Sequence, residues 1–215
     1  MAQVLLKNGI SPSSPSAGYV SIYGKAADKL LYYKDEVGVE HKVNTSKMNF
    51  VNYSTAAQVV EAGSARAYVA GSNIAIAAGD LQVGTMFRWT LNMSKGSAGS
   101  TATTFDIAFG TAGTTADTAR VSMALPATGS AVADEGNVII TGIHRGPVGA
   151  SGVAVATLSM SHNLAATGLA GVPSVNVVTV SSGFDVTTPT NIGLCFTTGN
   201  QKITFQVVTA EIWNA

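Results

Sequence analysis

The sequence predicts an all-β chain: an extended N-terminal arm with a small β-hairpin, then a C-terminal antiparallel β-sandwich or jelly roll. Three observations carry this prediction. Beyond residue 73, about eight short segments alternate apolar and polar side chains with a period of two, the mark of half-buried strands. Clusters rich in Gly, Ser, Thr and Ala separate them, and no long helical period intervenes. Composition also changes near residue 50: the chain before it is charged and rich in Tyr and Lys, and the chain after it is nearly uncharged.

In chain order, Gln3 to Leu6 is a candidate strand. Ser11-Pro12-Ser13-Ser14-Pro15-Ser16 is a spacer held extended by its prolines. Tyr19 to Tyr23 and Lys29 to Lys34 are β-patterned runs joined by Gly24 to Asp28, which reads as a hairpin. Asp35 to Gly38 forms a turn, and Val39 to Val43 is a third strand. Strands this short barely stand alone and need a platform. Tyr19, Ser21 and Tyr23 share one face and Val20 and Ile22 the other, so both faces carry apolar atoms.

Residues 1–43 therefore form an attachment arm, 44–72 a junction and 73–215 the β-domain. Within the junction, Ser54 to Gly63 fits a short helix with a Ser or Thr cap and a Gly stop. Its β-branched residues fit a strand nearly as well. From there the alternation is clear. Phe87, Trp89, Leu91 and Met93 alternate with Arg88, Thr90 and Asn92, and Phe105, Ile107 and Phe109 with Asp106 and Ala108. Phe87, Trp89, Leu91, Phe105, Ile107 and Phe109 are thus the expected core. Val121 to Leu125, Val138 to His144, Val153 to Ser161, Val175 to Val180, Asn191 to Thr197 and a last strand from Ile203 to Trp213 follow. The run Ser174 to Val180 is apolar and uncharged, so it must be central in its sheet or covered by a neighbouring subunit.

Only 11% of the 215 residues are charged, the formal net charge is zero and the pI is about 6.8. A surface so poor in charge repels copies of itself weakly, which favours an oligomer. It also argues against nucleic acid, which needs a basic face. Lys25, Lys29 and Lys34 are interleaved with Asp28, Asp35 and Glu36 and form no basic stripe. No apolar run is long enough to span a bilayer as a helix, and the N-terminus has no secretory pattern, so no membrane partner and synthesis in a cytosol are expected.

Signatures of catalysis are missing. His41, His144 and His162 lack metal-ligand spacing, so no metal and no cofactor are expected. His162 at the end of a strand reads as a histidine hydrogen-bonded at a loop or interface. Cys195 lies in an apolar strand pattern and reads as a buried, inert thiol. Asp134 and Glu135 are adjacent, before Gly136 in an expected turn, and would face opposite ways on a strand, unlike a catalytic carboxylate pair. Asp106 and Asp117 approach one another across a hairpin but lack a calcium-loop pattern. No nucleophile elbow or phosphate-binding loop occurs, so the chain is not expected to be an enzyme.

The run Pro15 to Lys25, PSAGYVSIYGK, followed by Lys29 to Glu40, KLLYYKDEVGVE, resembles the N-terminal segment of tailed-bacteriophage fibre and virion-appendage proteins. Phe105 to Arg120 is similar to a β-domain of phage and prophage structural proteins. The resemblance implies that the N-terminal segment docks on the virion while the distal β-domain trimerises and faces outward. It places docking on Tyr19, Ile22, Tyr23, Leu30, Tyr32 and Tyr33. A repetitive shaft is missing, which implies a short knob or head decoration. The expected function is a non-enzymatic, homotrimeric protein on the virion surface, partnered by itself and by capsid or tail proteins. The alternative is a tail-associated adhesin for a host-surface glycan, which would need exposed aromatic platforms and convergent polar groups.

Overall fold

The structure, a computed structural model, describes residues 8–9, 13–17, 19–25, 31–42, 49–96, 99–128, 131–164 and 167–213. The chain divides into two compact units, Met1–Ser46 and Lys47–Ala215. Every regular element among the described residues is a strand.

In the first unit, short runs pair into a sheet ordered β1 (Asn8–Gly9), β2 (Ser21–Lys25), β3 (Leu31–Lys34) and β4 (Glu40–Lys42). β1 is parallel to β2, and the other pairs are antiparallel, with Ile22 opposite Tyr33 and Tyr23 opposite Tyr32. The turn into β4 closes on Asp35, whose carboxylate accepts the Val39 N–H at 2.8 Å. Gly38 in that turn has a φ of +89°, a conformation that strains any side chain. The expected strand Gln3 to Leu6, together with Lys29, Leu30 and Val43, lies outside the described residues.

The second unit is an antiparallel β-sandwich, as the period-two pattern predicts. Its strands are β5 (Asn49–Ser54), β6 (Gln58–Val60), β7 (Ala67–Tyr68), β8 (Ile74–Ile76), β9 (Met86–Lys95), β10 (Thr104–Gly110), β11 (Thr118–Ala124), β12 (Asp134–Gly146), β13 (Val153–His162), β14 (Ser174–Val180), β15 (Thr190–Thr197) and β16 (Ile203–Trp213). One sheet runs β14-β13-β12-β9-β16-β5, with β6 also on β16. The other runs β11-β10-β15-β7, with β8 also on β15. The chain crosses between sheets after β6, β8, β9, β11, β14 and β15. Because β9 pairs with β16 while β10 pairs with β15, the β9–β10 and β15–β16 crossings lie beside each other.

Alternation decides what fills the space between the sheets. Phe87, Trp89, Leu91, Phe105, Ile107 and Phe109 are buried in one continuous core. Phe205 of the larger sheet packs on Phe105 and Phe196 of the smaller, with centroids 6.0 and 5.1 Å apart. Phe87 meets Phe109 edge-on at 6.1 Å. Each such side chain contributes roughly 1.5–3 kcal/mol by burial alone. At Gly142 the Phe87 ring takes the space of a side chain, since a Cβ there would lie 1.8 Å from it.

Two expectations are corrected and a third is narrowed. The 44–72 segment is no junction: its described residues 49–72 supply β5, β6 and β7, and Gln58–Val60 is strand where a helix also fitted. Pairing with β16 and β15 satisfies these backbones, and tertiary partners override local propensity. Asp134 and Glu135 open β12 and do not form a turn. β14 is at the end of its sheet's order, so it is not central.

A buried hydroxyl ties the sheets together. Ser72, with no exposed surface, donates its hydroxyl to Val69 O at 2.6 Å and accepts the Leu194 N–H of β15 at 2.9 Å. Its carbonyl accepts the Trp89 indole N–H from β9 at 2.6 Å. Ser72→Ala would leave the Leu194 amide unpaired in the core and cost about 1–3 kcal/mol. A lowered midpoint of urea unfolding with an unchanged slope is the expected result.

Candidate functional site

In the first unit the tyrosines divide. Tyr23 is buried and stacks on Tyr32 with centroids 6.1 Å apart, which serves the small sheet's own packing. Tyr32 and Tyr33 are half-buried. Tyr19 and Ile22 are 71% and 52% exposed, and Val20, Val37 and Val39 are exposed as well. Leu30 lies outside the described residues. The unit thus keeps an apolar surface in solvent after satisfying its own core.

In the second unit the informative surface is the outer face of the larger sheet. Strand pairing arranges its side chains in rows. Val180, Val155, Ile143, Met86 and Trp213 form one row, and Val178, Thr157, Thr141, Arg88 and Glu211 the next. Further along come Asn176, Ser159, Ile139, Thr90, Thr209 and Tyr53. Ile139, Ile143, Val178, Val180, Val207 and Tyr53 are all exposed. Arg88 pairs with Glu211 at 2.6 Å and lies over the Trp213 ring at 4.8 Å, so the central charges neutralise each other. Glu135 and Arg145 stand near the two ends of β12.

One end of this face is polar. A groove of about 410 Å³ is lined there by Asn92, Ser94, Glu135, Asn137, Asn163 and Gln206, among others, and no aromatic side chain contributes. Behind it lies a buried charged cluster. Asp134 faces inward and Glu135 outward, as adjacent strand residues must. His162 Nδ1 is 2.5 Å from Asp134 Oδ2, and neither side chain has exposed surface. His162 Nε2 is 2.5 Å from Val172 O, so it is a histidine bonded at a loop, one of the two situations expected for it. Burial pushes the Asp134 carboxyl up, but the Leu169 N–H, His162 and the Glu135 N–H more than offset this, and its pKa falls below the ordinary value. Lys95, from β9, donates to Gly168 O at 2.9 Å, and its burial lowers its pKa.

Other candidate chemistry is absorbed by structure. Asp106 accepts from Arg66 Nε at 3.0 Å and from the Ser122 hydroxyl at 2.5 Å. Asp117 accepts the Ala112 and Gly113 N–H groups of the β10–β11 turn. The two carboxylates therefore hold separate elements. His144 is buried, with Nδ1 2.9 Å from Gln82 O. Among the described residues no group of His, Cys, Asp and Glu has the arrangement of a metal site. Sequence reading missed the Asp134–His162–Lys95 cluster, because its members come from three strands and their spacing carries no signal.

No family model matches the chain, and no curated protein matches it. A solved structure with some likeness is a fructofuranosidase variant from Schwanniomyces occidentalis complexed with fructosylnystose, at 10% identity and a TM-score of 0.25. The match covers 90% of this chain and 38% of that one, so the chain spans well under half its length. At that score the likeness carries no argument.

Cys195 is buried, and burial pushes its thiol pKa up to about 11. At pH 8 the native protein should react with an aromatic disulfide reagent at least about a hundredfold more slowly than the urea-unfolded chain, whose thiol is ordinary. Absorbance of the released thiolate checks this.

Proposed function

We propose that the chain is a non-enzymatic structural protein on the exterior of a phage particle. It is a homotrimer that decorates the capsid or forms a short fibre, docking through its N-terminal unit and projecting its sandwich outward. The observation that carries this reading is the outer face of the larger sheet. A sheet face left in water ordinarily carries polar and charged side chains, whereas away from its polar end this one presents mainly Val, Ile, Thr and Tyr around the Arg88–Glu211 ion pair. Six strands about 4.8 Å apart and ten residues of about 3.3 Å each give a face of roughly 800 Å², the area one partner contributes to a stable interface.

β14 adds to the argument. It is an uncharged strand at the sheet's edge with Val178 and Val180 exposed, and a neighbouring copy would cover it. The exposed Tyr19, Val20 and Ile22 supply anchor area for a second, different interface. Three docked copies would turn weak contacts into avidity. The resemblance of residues 15–40 to virion-appendage segments names the class of particle.

A glycan-binding adhesin at the tail is the second reading. The polar groove favours it, with convergent amides and hydroxyls; the missing aromatic platform counts against it.

Light scattering should give a mass near three times 21.8 kDa. Val178→Lys combined with Ile143→Lys should give a folded monomer. A well-folded wild-type monomer would overturn the trimer. Deleting residues 1–46 should leave the trimer intact and abolish its incorporation into particles, seen by electron microscopy. Truncated copies still on particles would sink the docking role. Labelling confined to the tail tip would favour the adhesin.

A further inference from the structure

Strand β11 carries one residue too many for its partner. Ile107 of β10 opposes Val121 and Ala108 opposes Ala119, so Arg120 is the extra residue of a β-bulge. A bulge re-aims a side chain away from the direction that strict alternation gives it. Arg120 lines a cleft of about 120 Å³, shared with Phe109, Thr111, Phe184, Asp185 and Thr188. The residue is half-buried, and its Nε is closed off from solvent with no acceptor. Arg66 bonds Asp106 and Arg88 bonds Glu211, whereas the Arg120 guanidinium has no hydrogen bond or ion pair among the described residues. A charged donor left unbonded in a half-buried place is costly, and no contact among the described residues offsets that cost.

We propose that this cleft is a carboxylate-binding site, with Arg120 as its cation. Its walls are set before any ligand arrives. The Arg120 carbonyl accepts the Ser182 N–H at 2.9 Å, which ties the segment after β14 to the bulge. Phe184 exchanges both backbone hydrogen bonds with Gly152, at 2.8 and 2.9 Å, and its ring stacks on Phe109 with centroids 4.1 Å apart. The Val186 N–H bonds Gly149 O at 3.0 Å. Asp185 Oδ1 accepts the Thr187 N–H at 2.8 Å and the Thr187 hydroxyl at 2.6 Å, which fixes the turn on the far side. A site held in place this way loses little ordering entropy on binding.

Size and charge select the ligand. Pockets that enclose drug-sized molecules run to roughly 300–1,000 Å³, so this cleft takes one small head group. A guanidinium offers parallel N–H donors that match the two oxygens of a carboxylate. Asp185 lines the same cleft, and its bonds from the Thr187 hydroxyl and N–H hold its pKa below the ordinary value, so it stays ionised. One cation facing one anion suits a ligand with a single negative charge and disfavours a phosphate dianion. Asp185 Oδ2 has no bond among the described residues and is an acceptor for a hydroxyl beside the bound carboxylate. The same chemistry can come from a free small acid or from an acidic side chain of a neighbouring copy. The site does not rest on the trimer reading, since a monomer that binds a carboxylate keeps it and a trimer that binds none loses it.

Nuclear magnetic resonance on the nitrogen-labelled full chain tests it, with the Arg120 Nε–H signal as the reporter. Sodium glycolate, exchanged for sodium chloride at constant ionic strength, should shift that signal and the Ser182 amide to a plateau. Inorganic phosphate at pH 8 should give no plateau. Arg120→Gln should weaken glycolate binding at least about tenfold, read at the Ser182 amide, because a charge-assisted contact is lost. Arg145→Gln, at the exposed end of β12, should leave it unchanged. If a neighbouring copy supplies the carboxylate, glycolate competes with it and Arg120→Gln lowers the mass seen by light scattering; with a free acid the mass stays the same. Glycolate that acts no differently from chloride, together with a mass unmoved by Arg120→Gln, would overturn the site. So would glycolate binding that survives Arg120→Gln, and phosphate that binds as tightly as glycolate would overturn the ligand class.

Discussion

The Trp89 indole donates to the carbonyl of Ser72, and the Ser72 hydroxyl accepts from the centre of β15. This contact joins the middle strand of the larger sheet to the smaller sheet at a point with no exposed surface. Around it the aromatic side chains find their places: Phe87 stands edge-on to Trp89 at 5.4 Å, and Phe105, Phe196 and Phe205 fill the space farther along. A tryptophan can be buried this deeply only when its N–H has a partner. The segment that carries Ser72 must therefore lie against the sandwich, and that requirement draws residues 49–76 into the sheets.

A core of this kind uses up the inward side of every long strand and leaves the outward side to other demands. On the larger sheet that outward side carries few charges, and the two at its centre bond each other. The cost of exposing Val178, Val180, Ile139 and Ile143 to water is not recovered within the chain. The proposed assembly would recover it by covering those rows with another copy. In the first unit the same logic applies at smaller scale, because Tyr23 and Tyr32 satisfy each other while Tyr19 and Ile22 stay exposed.

Burying charge is costly, so the Lys95–Asp134–His162 cluster marks a place where backbone groups needed strong partners. The loop beside it has few polar side chains, and Leu169 and Ala170 hold it by burial in the core. Charged groups from three strands supply the polar anchorage.

Much of this fold was legible in residue order. Alternation in Phe87 to Met93 and in Phe105 to Phe109 determined strands with one buried face, because successive side chains on a strand must point to opposite sides. Low charge determined that few charged side chains would stand on the sheet faces. What only the tertiary structure decided is which residues meet. Gln58–Val60 is a strand because β16 offers it a ladder, while its own sequence fits two conformations. β14 is an edge strand because it pairs with β13 alone, while the returning strand β16 joins the sheet beside β9. Asp134 and His162 are 28 residues apart yet form a buried pair, because Gly136 and His162 are opposed in the β12–β13 register. Local pattern follows from bonds between near neighbours and can be read along the chain. Register, edges and buried charge pairs follow from contacts between distant residues, which exist only once the sheets have closed.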